Sequence, residues 1–515
     1  MIILYHHNNG IQELVSDKEE CIDFDKGITI AKGLQILASK FPNDILVWCQ
    51  VDCKEQLNAE VIETLFHHSK LMLSYHPHEH HFIDKRVGYV DDTLFVNINK
   101  KATYPTWHMS SLVGAVHASV LLAVGKHVPL DSDFDYYLNS LAKLAMPLGL
   151  FCYSEPHLLK DEVKLPVSKT NLYKLFRFVK QHYKTRWLFL LVLNLLFYEK
   201  RLVIIPFLYA FGFGSRTNRT MNLDAIAVKS SKDLANKASI DVIIPTIGRK
   251  TYLYDVLCDL RNQTHLPENV IIVEQNPKAD SVSELDYVTS ESWPFKIKHI
   301  FTHQTGACHA RNRALEEVTG DWVFLADDDN RLESNLLEKV FQNINKYGVN
   351  CVTTSYPQKN ESIENIYVSQ SPNFGSGNSF LRSCFLKKVQ FNMSFEHGYG
   401  EDADFGMQLR NNGIDVIYLP EPSILHLKAP MGGFRTKPKV LWQDEAIQPK
   451  PSPTVMLFQL LHRTKEQRLG YKTVLFLKYY KNQSIKNPFT YFKVFKKQWQ
   501  QSLKYAHHLK SIKPL

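Results

Sequence analysis

The chain has 515 residues, 44% of them hydrophobic and 22% charged, which are the fractions of a globular protein; it is longer than one hydrophobic core usually organises, so two domains are expected. Its formal net charge of +9 is a modest excess for this length. Eight cysteines with neither paired metal spacing nor the density of a disulfide scaffold exclude a stapled secreted module and favour a reducing compartment.

The N-terminus, MIILYHHNNG, lacks a basic region followed by a long apolar run and reads as a first strand, not a signal peptide. Gly27 to Leu34 precedes an apolar run from Asp44 to Asp52, which leads into a helix ending Glu63-Thr-Leu-Phe66. His76-Pro77-His78-Glu79-His80-His81 invites a zinc reading, but adjacent imidazoles in a proline-containing loop lack the spacing that gathers three ligands, and a solvated loop is expected. Trp187 to Tyr198, the longest apolar stretch, is too short to span a bilayer and is followed by Glu199-Lys200-Arg201 and a second run, Leu202 to Phe213, containing Pro206. From Trp187 to Tyr209, and again in the C-terminal tail, Lys and Arg mixed with Trp, Tyr, Phe and Leu fit helices lying in an anionic membrane interface; inter-domain packing is the alternative.

Ser215 to Ser239 is polar without strong periodicity and reads as a linker. Beyond it, Ile240 to Pro245 reads as a buried strand, Tyr252 to Leu260 as a helix, and Val270 to Val273 and Lys296 to Phe301 as strands. Ala307 to Val318 reads as a helix entering the strand Trp322 to Ala326. The alternation predicts a parallel α/β sheet whose ligands sit at the C-terminal strand ends. From Tyr471 to Leu515 there is no Asp or Glu, while ten lysines, from Lys472 to Lys513, fall there.

The first part of the chain repeats the second in order. Gly27 to Leu34 and Asp44 to Asp52 parallel Gly306 to Leu315 and Asp321 to Asp329, and both continue into helices ending Glu63-Thr-Leu-Phe66 or Glu338-Lys-Val-Phe341. Phe134 to Leu138 leading to Leu150–Pro156 parallels Asp404 to Leu409 leading to Val416–Pro422, and the segments Pro166 to Tyr209 and Pro451 to Tyr491 share a basic, aromatic and apolar character. Matching order predicts an internal duplication. The copies differ where chemistry would sit. The first reads Gln50-Val51-Asp52-Cys53-Lys54 where the second has Asp327-Asp328-Asp329, and the stretch between Pro245 and His303 shrinks to a short segment between Gly10 and Gly27.

Gly320-Asp321-Trp322-Val323-Phe324-Leu325-Ala326 runs straight into Asp327-Asp328-Asp329-Asn330. Side chains alternate along a strand, so Asp327 and Asp329 can point the same way and form part of a site for Mg²⁺ or Mn²⁺ completed by diphosphate and water. An acidic cap on the following helix is the other reading. Pro245-Thr246-Ile247-Gly248-Arg249 is a strand-end turn able to approach a nucleotide, and Glu274 ends another strand, where it could accept from a base N–H or lie in an exposed turn. Arg311 suits phosphate, or a salt bridge to Glu316 or Glu317. Gly398-Tyr399-Gly400-Glu401-Asp402-Ala403-Asp404 opens a helix whose positive end favours an ionised Asp402, as a general base requires; helix capping is the alternative, most plausibly by Asp404. His426 could reach a metal or a diphosphate, or be structural.

The ordered set VIIPTIGR, IIVEQN, GACHARNRAL, GDWVFLADDDN, NFGSGNSFLR, GYGEDADFGMQLRNNG and ILH resembles the family 2 glycosyltransferases of the GT-A fold, from Ser239 to Gly433. Gly248 and Glu274-Gln275-Asn276 stand where that family commonly has Asn and an Asp-Gly-Ser turn, departures that bear on the donor more than on the reaction. The resemblance implies an α/β fold of two tandem GT-A-like, Rossmann-like domains, each followed by a basic amphipathic helical segment. The expected segments are a truncated, degenerate domain at 1–165, a helical segment at 166–214, a linker at 215–239, a catalytic domain at 240–435 and a basic helical segment at 436–515.

By the same resemblance, Pro245, Thr246, Arg249, Glu274, Arg311, Asp327 and Asp328 would bind the nucleotide sugar. Gly377, Asn378 and Glu401 would face the acceptor, Asp327, Asp329 and His426 would hold Mn²⁺ or Mg²⁺, and Asp402 would be the base. The implied reaction is inverting transfer from a nucleoside-diphosphate sugar, UDP favoured, to a glycan or glycolipid hydroxyl. The implied place is peripheral, at the inner face of the cytoplasmic membrane, with no nucleic-acid partner. Two alternatives stand: a bifunctional transferase in which Asp133 mimics Asp402, or a membrane-associated glycan-binding scaffold.

Overall fold

The computed structural model describes residues 1–16, 22–25, 27–125, 127–161, 163, 171–217, 221–429 and 439–511. Cys21, Gly433, Lys513 and the expected boundaries at 165/166 and 435/436 lie outside the described residues. In chain order the elements are β1 (Ile2–His7), β2 (Gly10–Ser16), α1 (Ile30–Lys40), β3 (Ile45–Gln50), α2 (Ala59–Leu65), β4 (Leu71–Tyr75), β5 (Tyr104–Pro105), β6 (Val113–His117), α3 (Ala118–Val124), α4 (Phe134–Ala145), β7 (Phe151–Ser154), α5 (Leu172–His182), α6 (Arg186–Glu199) and α7 (Ile204–Ala210). They continue with β8 (Ile240–Thr246), α8 (Lys250–Arg261), β9 (Asn269–Gln275), α9 (Tyr287–Ser290), β10 (Lys296–Thr302), α10 (Ala307–Glu316), β11 (Trp322–Ala326), β12 (Asn330–Arg331), α11 (Leu336–Tyr347), β13 (Cys351–Ser355), β14 (Ser369–Gln370) and β15 (Asn378–Arg382). The last are α12 (Glu401–Asn411), β16 (Ile417–Ser423), β17 (Leu425–His426), α13 (Pro453–His462), α14 (Lys465–Tyr480) and α15 (Pro488–Ser511).

The elements gather into two units: Met1–Ser231 with Arg463–Lys481, and Lys232–His462 with the residues from Asn482. Helix α14 therefore belongs to the first unit, while α13 and α15 belong to the second. Each unit has its own mixed sheet, ordered β2-β1-β3-β6-β4-β7-β5 in the first and β10-β9-β8-β11-β15-β13-β16-β14 in the second. From β1 and β8 onward the pairing senses coincide. β1–β3 and β8–β11 are parallel, β3–β6 and β11–β15 antiparallel, and β6–β4 and β15–β13 antiparallel. β4–β7 and β13–β16 are parallel, and β7–β5 and β16–β14 antiparallel.

The sheets part at one edge. The second unit extends β8 with parallel β9 and β10, whereas the first has the antiparallel hairpin β1–β2. Its turn residues Asn8 and Asn9 have φ of 49° and 61°, the pair of positive values a two-residue hairpin turn requires. Parallel neighbours need long crossovers and a hairpin does not, which is the physical form of the shortening between Gly10 and Gly27.

Strand β9, NVIIVEQ, is buried at every residue, as expected for a parallel strand covered on both faces, whereas the edge strand β10 is half-buried and carries Lys296 and Lys298. One helix runs past its expected end. α11 does not stop at Phe341, because Val340, Ile344 and Tyr347 continue its buried face; Gly348, at φ 60°, ends it by donating its N–H to the Ile344 carbonyl. No described helix is long and apolar enough to cross a membrane.

Candidate functional site

The acidic turn is positioned from both ends of β11. Ahead of the strand, buried Asp241 on β8 accepts from the N–H groups of Thr319 (2.7 Å) and Gly320 (2.9 Å) and from Asn269 Nδ2 (2.7 Å). Beyond it, β12 pairs with β17 in a register that sets Asn330 opposite His426. One ligand atom from each of Asp327, Asp329 and His426 therefore lies within 4.8 Å of the others. The His426 ring stacks on Tyr356 at 4.5 Å and 7°, and its Nε2 is 3.5 Å from Asp329 Oδ1. Asp329 Oδ2 accepts from the Ala429 N–H at 2.9 Å, while Asp327 accepts from Arg311 Nη2 (3.2 Å) and Tyr356 OH (3.3 Å).

Asp328 lies in the turn beyond β11, where it accepts from Thr246 Oγ1 at 2.7 Å and shares Arg249 Nη1 with Asp329, which is 3.2 Å from that nitrogen. Burial pushes its pKa up to about 6 against the pull of Arg249. Burial acts on Asp329 too, but hydrogen bonds from His426 and the Ala429 N–H outweigh it and hold that carboxyl below its usual value. Its hydrogen bond to Asp329 raises His426 in turn. Two carboxylates and one imidazole are a donor set that fits Mg²⁺ or Mn²⁺, and are too few to complete either ion's coordination, so diphosphate oxygens have room to join.

A cavity of about 390 Å³ opens here, lined by the expected Pro245, Thr246, Arg249, Arg311, Asp327, Asp328, Asp329, Glu401 and His426. Glu274, Gly377, Asn378 and Asp402 are not among its lining residues. The Glu274 carboxylate is taken by Ser283 Oγ (2.6 Å), His299 Nε2 (2.9 Å) and the Glu284 N–H (3.1 Å). Burial would raise its pKa, but these hydrogen bonds bring it below the usual value. The next residue along the strand, Gln275, faces the cavity and accepts from the Gly306 N–H at 2.6 Å. Asn378 spends its amide on Thr353 Oγ1 (3.1 Å) and the Thr354 carbonyl (2.5 Å). Gly377 lies so close to the acidic turn that a Cβ there would sit 2.2 Å from Asp327 Oδ2. Sequence reasoning did not single out Glu396, which lines the cavity and accepts from the Cys308 and His309 N–H groups at the start of α10 (3.1 and 2.7 Å).

Asp402 is the second residue of α12. Its Oδ2 accepts from the Ser376 N–H at 3.2 Å, while its Oδ1 is buried and has no hydrogen-bond partner among the described residues. Burial raises its pKa, with Arg311 offsetting only part of that, and burial together with Asp402 raises Glu401. Arg311 turns to Asp327 and not to Glu316 or Glu317. Burial works against its charge, but the surrounding Asp327, Asp402 and Glu401 raise its pKa further. Asp404, the candidate cap in the alternative reading, is buried and pairs with His462 at 2.6 Å and Gln408 at 2.7 Å.

In the first unit, β3 pairs Cys49 with Val113 as β11 pairs Ala326 with Asn378, which sets Gln50 in the place of Asp327 and Ser111 in the place of Ser376. The residue in the place of Asp402 is Asp135, not Asp133. Asp135 is second in α4, accepts from the Ser111 N–H at 2.7 Å and is pushed up to about 6 by burial. Asp133 instead caps the helix through the Tyr136 N–H (3.1 Å) and pairs with Lys174 at 2.6 Å. The histidine loop departs from the solvated loop expected: His76 and His81 are half-buried and stacked at 4.4 Å, and burial pushes His76 down to about 3. Among the described residues only Asp327, Asp329 and His426 form a group that could hold a metal ion.

Comparison with known proteins agrees with the second unit. The model of the family "Glycosyl transferase family 2" matches residues 241–404. Glycosyltransferase GlyA of Streptococcus pneumoniae is 27% identical over 161 residues, 31% of this chain and 21% of that protein. An uncharacterized glycosyltransferase of Haemophilus influenzae is 32% identical over 133 residues, 25% of this chain and 43% of that protein. The matched stretch thus spans less than half the length of either relative. The crystal structure of S. aureus TarS 1-349 in complex with UDP-GlcNAc is similar at 18% identity and a TM-score of 0.35, covering 52% of this chain and 80% of that one. The chain therefore carries, at residues 241–404, a domain of the family 2 glycosyltransferases.

Proposed function

We propose that the second unit transfers a sugar from a nucleoside-diphosphate sugar, UDP-linked in first preference, to a hydroxyl of a glycan or glycolipid by an inverting single displacement. The observation that carries this reading is the meeting, in and beside one cavity, of Asp327, Asp329 and His426 with Arg311, whose charge links that cluster to Asp402. When held by the cluster, Mn²⁺ or Mg²⁺ supplies positive charge against the departing diphosphate. Arg249 and Arg311 add permanent cations on the same side. The buried, unpartnered Oδ1 of Asp402, beside cavity-lining Glu401, takes the proton from the acceptor hydroxyl, and its raised pKa makes it a stronger base than an exposed aspartate. No side chain need bond to the sugar, so the anomeric configuration inverts.

We place the reaction at the inner face of the cytoplasmic membrane, in surface polysaccharide or glycolipid synthesis; the buried thiols of Cys49, Cys53 and Cys308 fit a reducing compartment. The test is calorimetric titration of the full chain with UDP-, GDP- and dTDP-sugars with and without Mn²⁺. Metal-dependent binding of one class is expected. Binding of none, or binding unchanged by chelation and by the Asp327→Ala, Asp329→Ala double substitution, overturns the reading.

A further inference from the structure

The α6–α7 hairpin of the first unit has an apolar surface that its own fold does not cover. Helix α6 turns Leu188, Leu191 and Leu195 into the hydrophobic core of the first unit. Its opposite side is apolar as well, with Phe189 and Phe197 57% and 56% exposed. A helix apolar all round belongs in a core or in lipid. The patch continues through Leu202, Ile205 and Leu208, which are 70%, 68% and 61% exposed. The ring contact of Phe207 with Phe189 (5.2 Å) joins α7 to α6, and that of Phe207 with Phe211 (5.1 Å) continues it past the end of α7, so these residues form one surface and not scattered exposures.

Charge identifies the occupant. Residues 171–217 contain eight Lys and Arg and a single acid, Glu199, which Arg86 already holds at 2.7 Å. Lys174, Arg177 and Arg216 pair with Asp133 and Asp131 and Lys180 is half-buried, which leaves Lys184, Arg186, Lys200 and Arg201 exposed at the two ends of α6. A two-fold contact with a second copy would bring these like charges together. An anionic bilayer offers both an apolar interior and the opposite charge. At 14 residues α6 rises only about 21 Å, short of a bilayer's hydrocarbon thickness, so the hairpin can lie in the interface but not cross it. The C-terminal tail, equally basic in sequence, exposes Phe489 and Phe492 at the start of α15 but buries Tyr491, Phe495 and Trp499 on it, so it offers a smaller apolar surface than the hairpin.

We propose that the α6–α7 hairpin is a monotopic anchor that seats the protein on an anionic lipid bilayer. This deepens the location assigned above and stands apart from the transfer chemistry. The experiment is flotation of the full chain with vesicles of phosphatidylcholine alone or mixed with phosphatidylglycerol, beside light scattering without lipid. Wild type is expected to float with the anionic vesicles, and far less with neutral ones or at high salt. Ile205→Glu with Leu208→Glu should reduce bound protein at least ten-fold, and Lys200→Gln with Arg201→Gln should reduce it on anionic vesicles only. Both pairs are exposed, so melting temperature and donor hydrolysis in solution should be unchanged; loss of hydrolysis in wild type as well would instead count against the active-site reading. Equal flotation with both vesicle types, unaffected variants, or a lipid-free dimer that the variants split would overturn the proposal.

Discussion

Asp135 and Asp402 hold the same place in the two sheets: each is second in its helix, and each accepts the backbone N–H of a serine two residues ahead of the central antiparallel strand. What surrounds them differs. Asp402 has Arg311, Asp327 and the cavity nearby, whereas the first unit has Gln50 in the place of Asp327 and, among the described residues, no counterpart of β9 and β10. Asp402→Asn should therefore lower kcat of the full chain by roughly 10² to 10⁴-fold, the range of general-base contributions, while Asp135→Asn changes it less than about two-fold. Transfer that depends on Asp135 would instead establish a second active site.

Removing the metal cluster should separate binding from folding. Asp327 and Asp329 draw their partners from site residues, so the double Asp→Ala variant keeps the sheet but loses two of the three available ligands. Mn²⁺-dependent donor affinity should fall at least ten-fold, with chelated wild type behaving the same way. Isothermal titration checks this, and a variant still stimulated by Mn²⁺ would remove these residues from the metal site.

The acidic turn was legible because a buried strand runs straight into carboxylates and the alternation of strands with helices puts that end at the cavity; strand period does not carry past Ala326, where Asp328 and Asp329 share Arg249. What the sequence did not carry were the contacts made by distant segments. Glu396 reaches the start of α10 from a far loop, and His462 comes from α13 to take Asp404 away from the helix end. Glu274 and Gln275 differ by one residue in strand phase, so nothing local decides which of them meets the cavity. Asp133 was the candidate base of the bifunctional alternative; only strand register shows that Asp135 has the matching backbone partner.

The raised pKa of Asp402 gives a pH signature with a definite sign. As a base it works ionised, so kcat should fall as pH drops through its folded pKa, which lies above the usual aspartate value. For stability the direction reverses. A carboxyl whose folded pKa is raised binds its proton more tightly in the native state, so its stabilising contribution is complete below the unfolded value and is lost as pH rises through the folded one. Asp402→Asn keeps an acceptor for the Ser376 N–H without the buried charge, so at neutral pH it should raise Tm while it removes activity. A Tm difference between the two proteins that does not narrow as pH falls would contradict the assignment.

Gly377→Ala tests whether the acidic turn depends on the close approach of a backbone without a side chain. An added Cβ would lie 2.2 Å from Asp327 Oδ2 and 2.9 Å from Tyr356 OH, closer than such contacts occur, so the Asp327 carboxylate has to rotate away. Both displaced atoms are tips of side chains, whereas Gly377's own carbonyl remains held by Asn330 Nδ2 at 2.8 Å. The fold should therefore absorb the change with little loss of Tm. The metal geometry should not: Mn²⁺ affinity is expected to weaken by about 10- to 100-fold, the usual cost of disturbing what orients a ligand, with kcat falling alongside it. The atoms nearest the added Cβ belong to Asp327 and Tyr356 and not to Asp402, so at saturating Mn²⁺ the pH midpoint of kcat should move little, and only downward as Asp327, which raises the Asp402 pKa, turns away. A shifted midpoint with unchanged metal affinity would show that Gly377 acts on the base and not on Asp327.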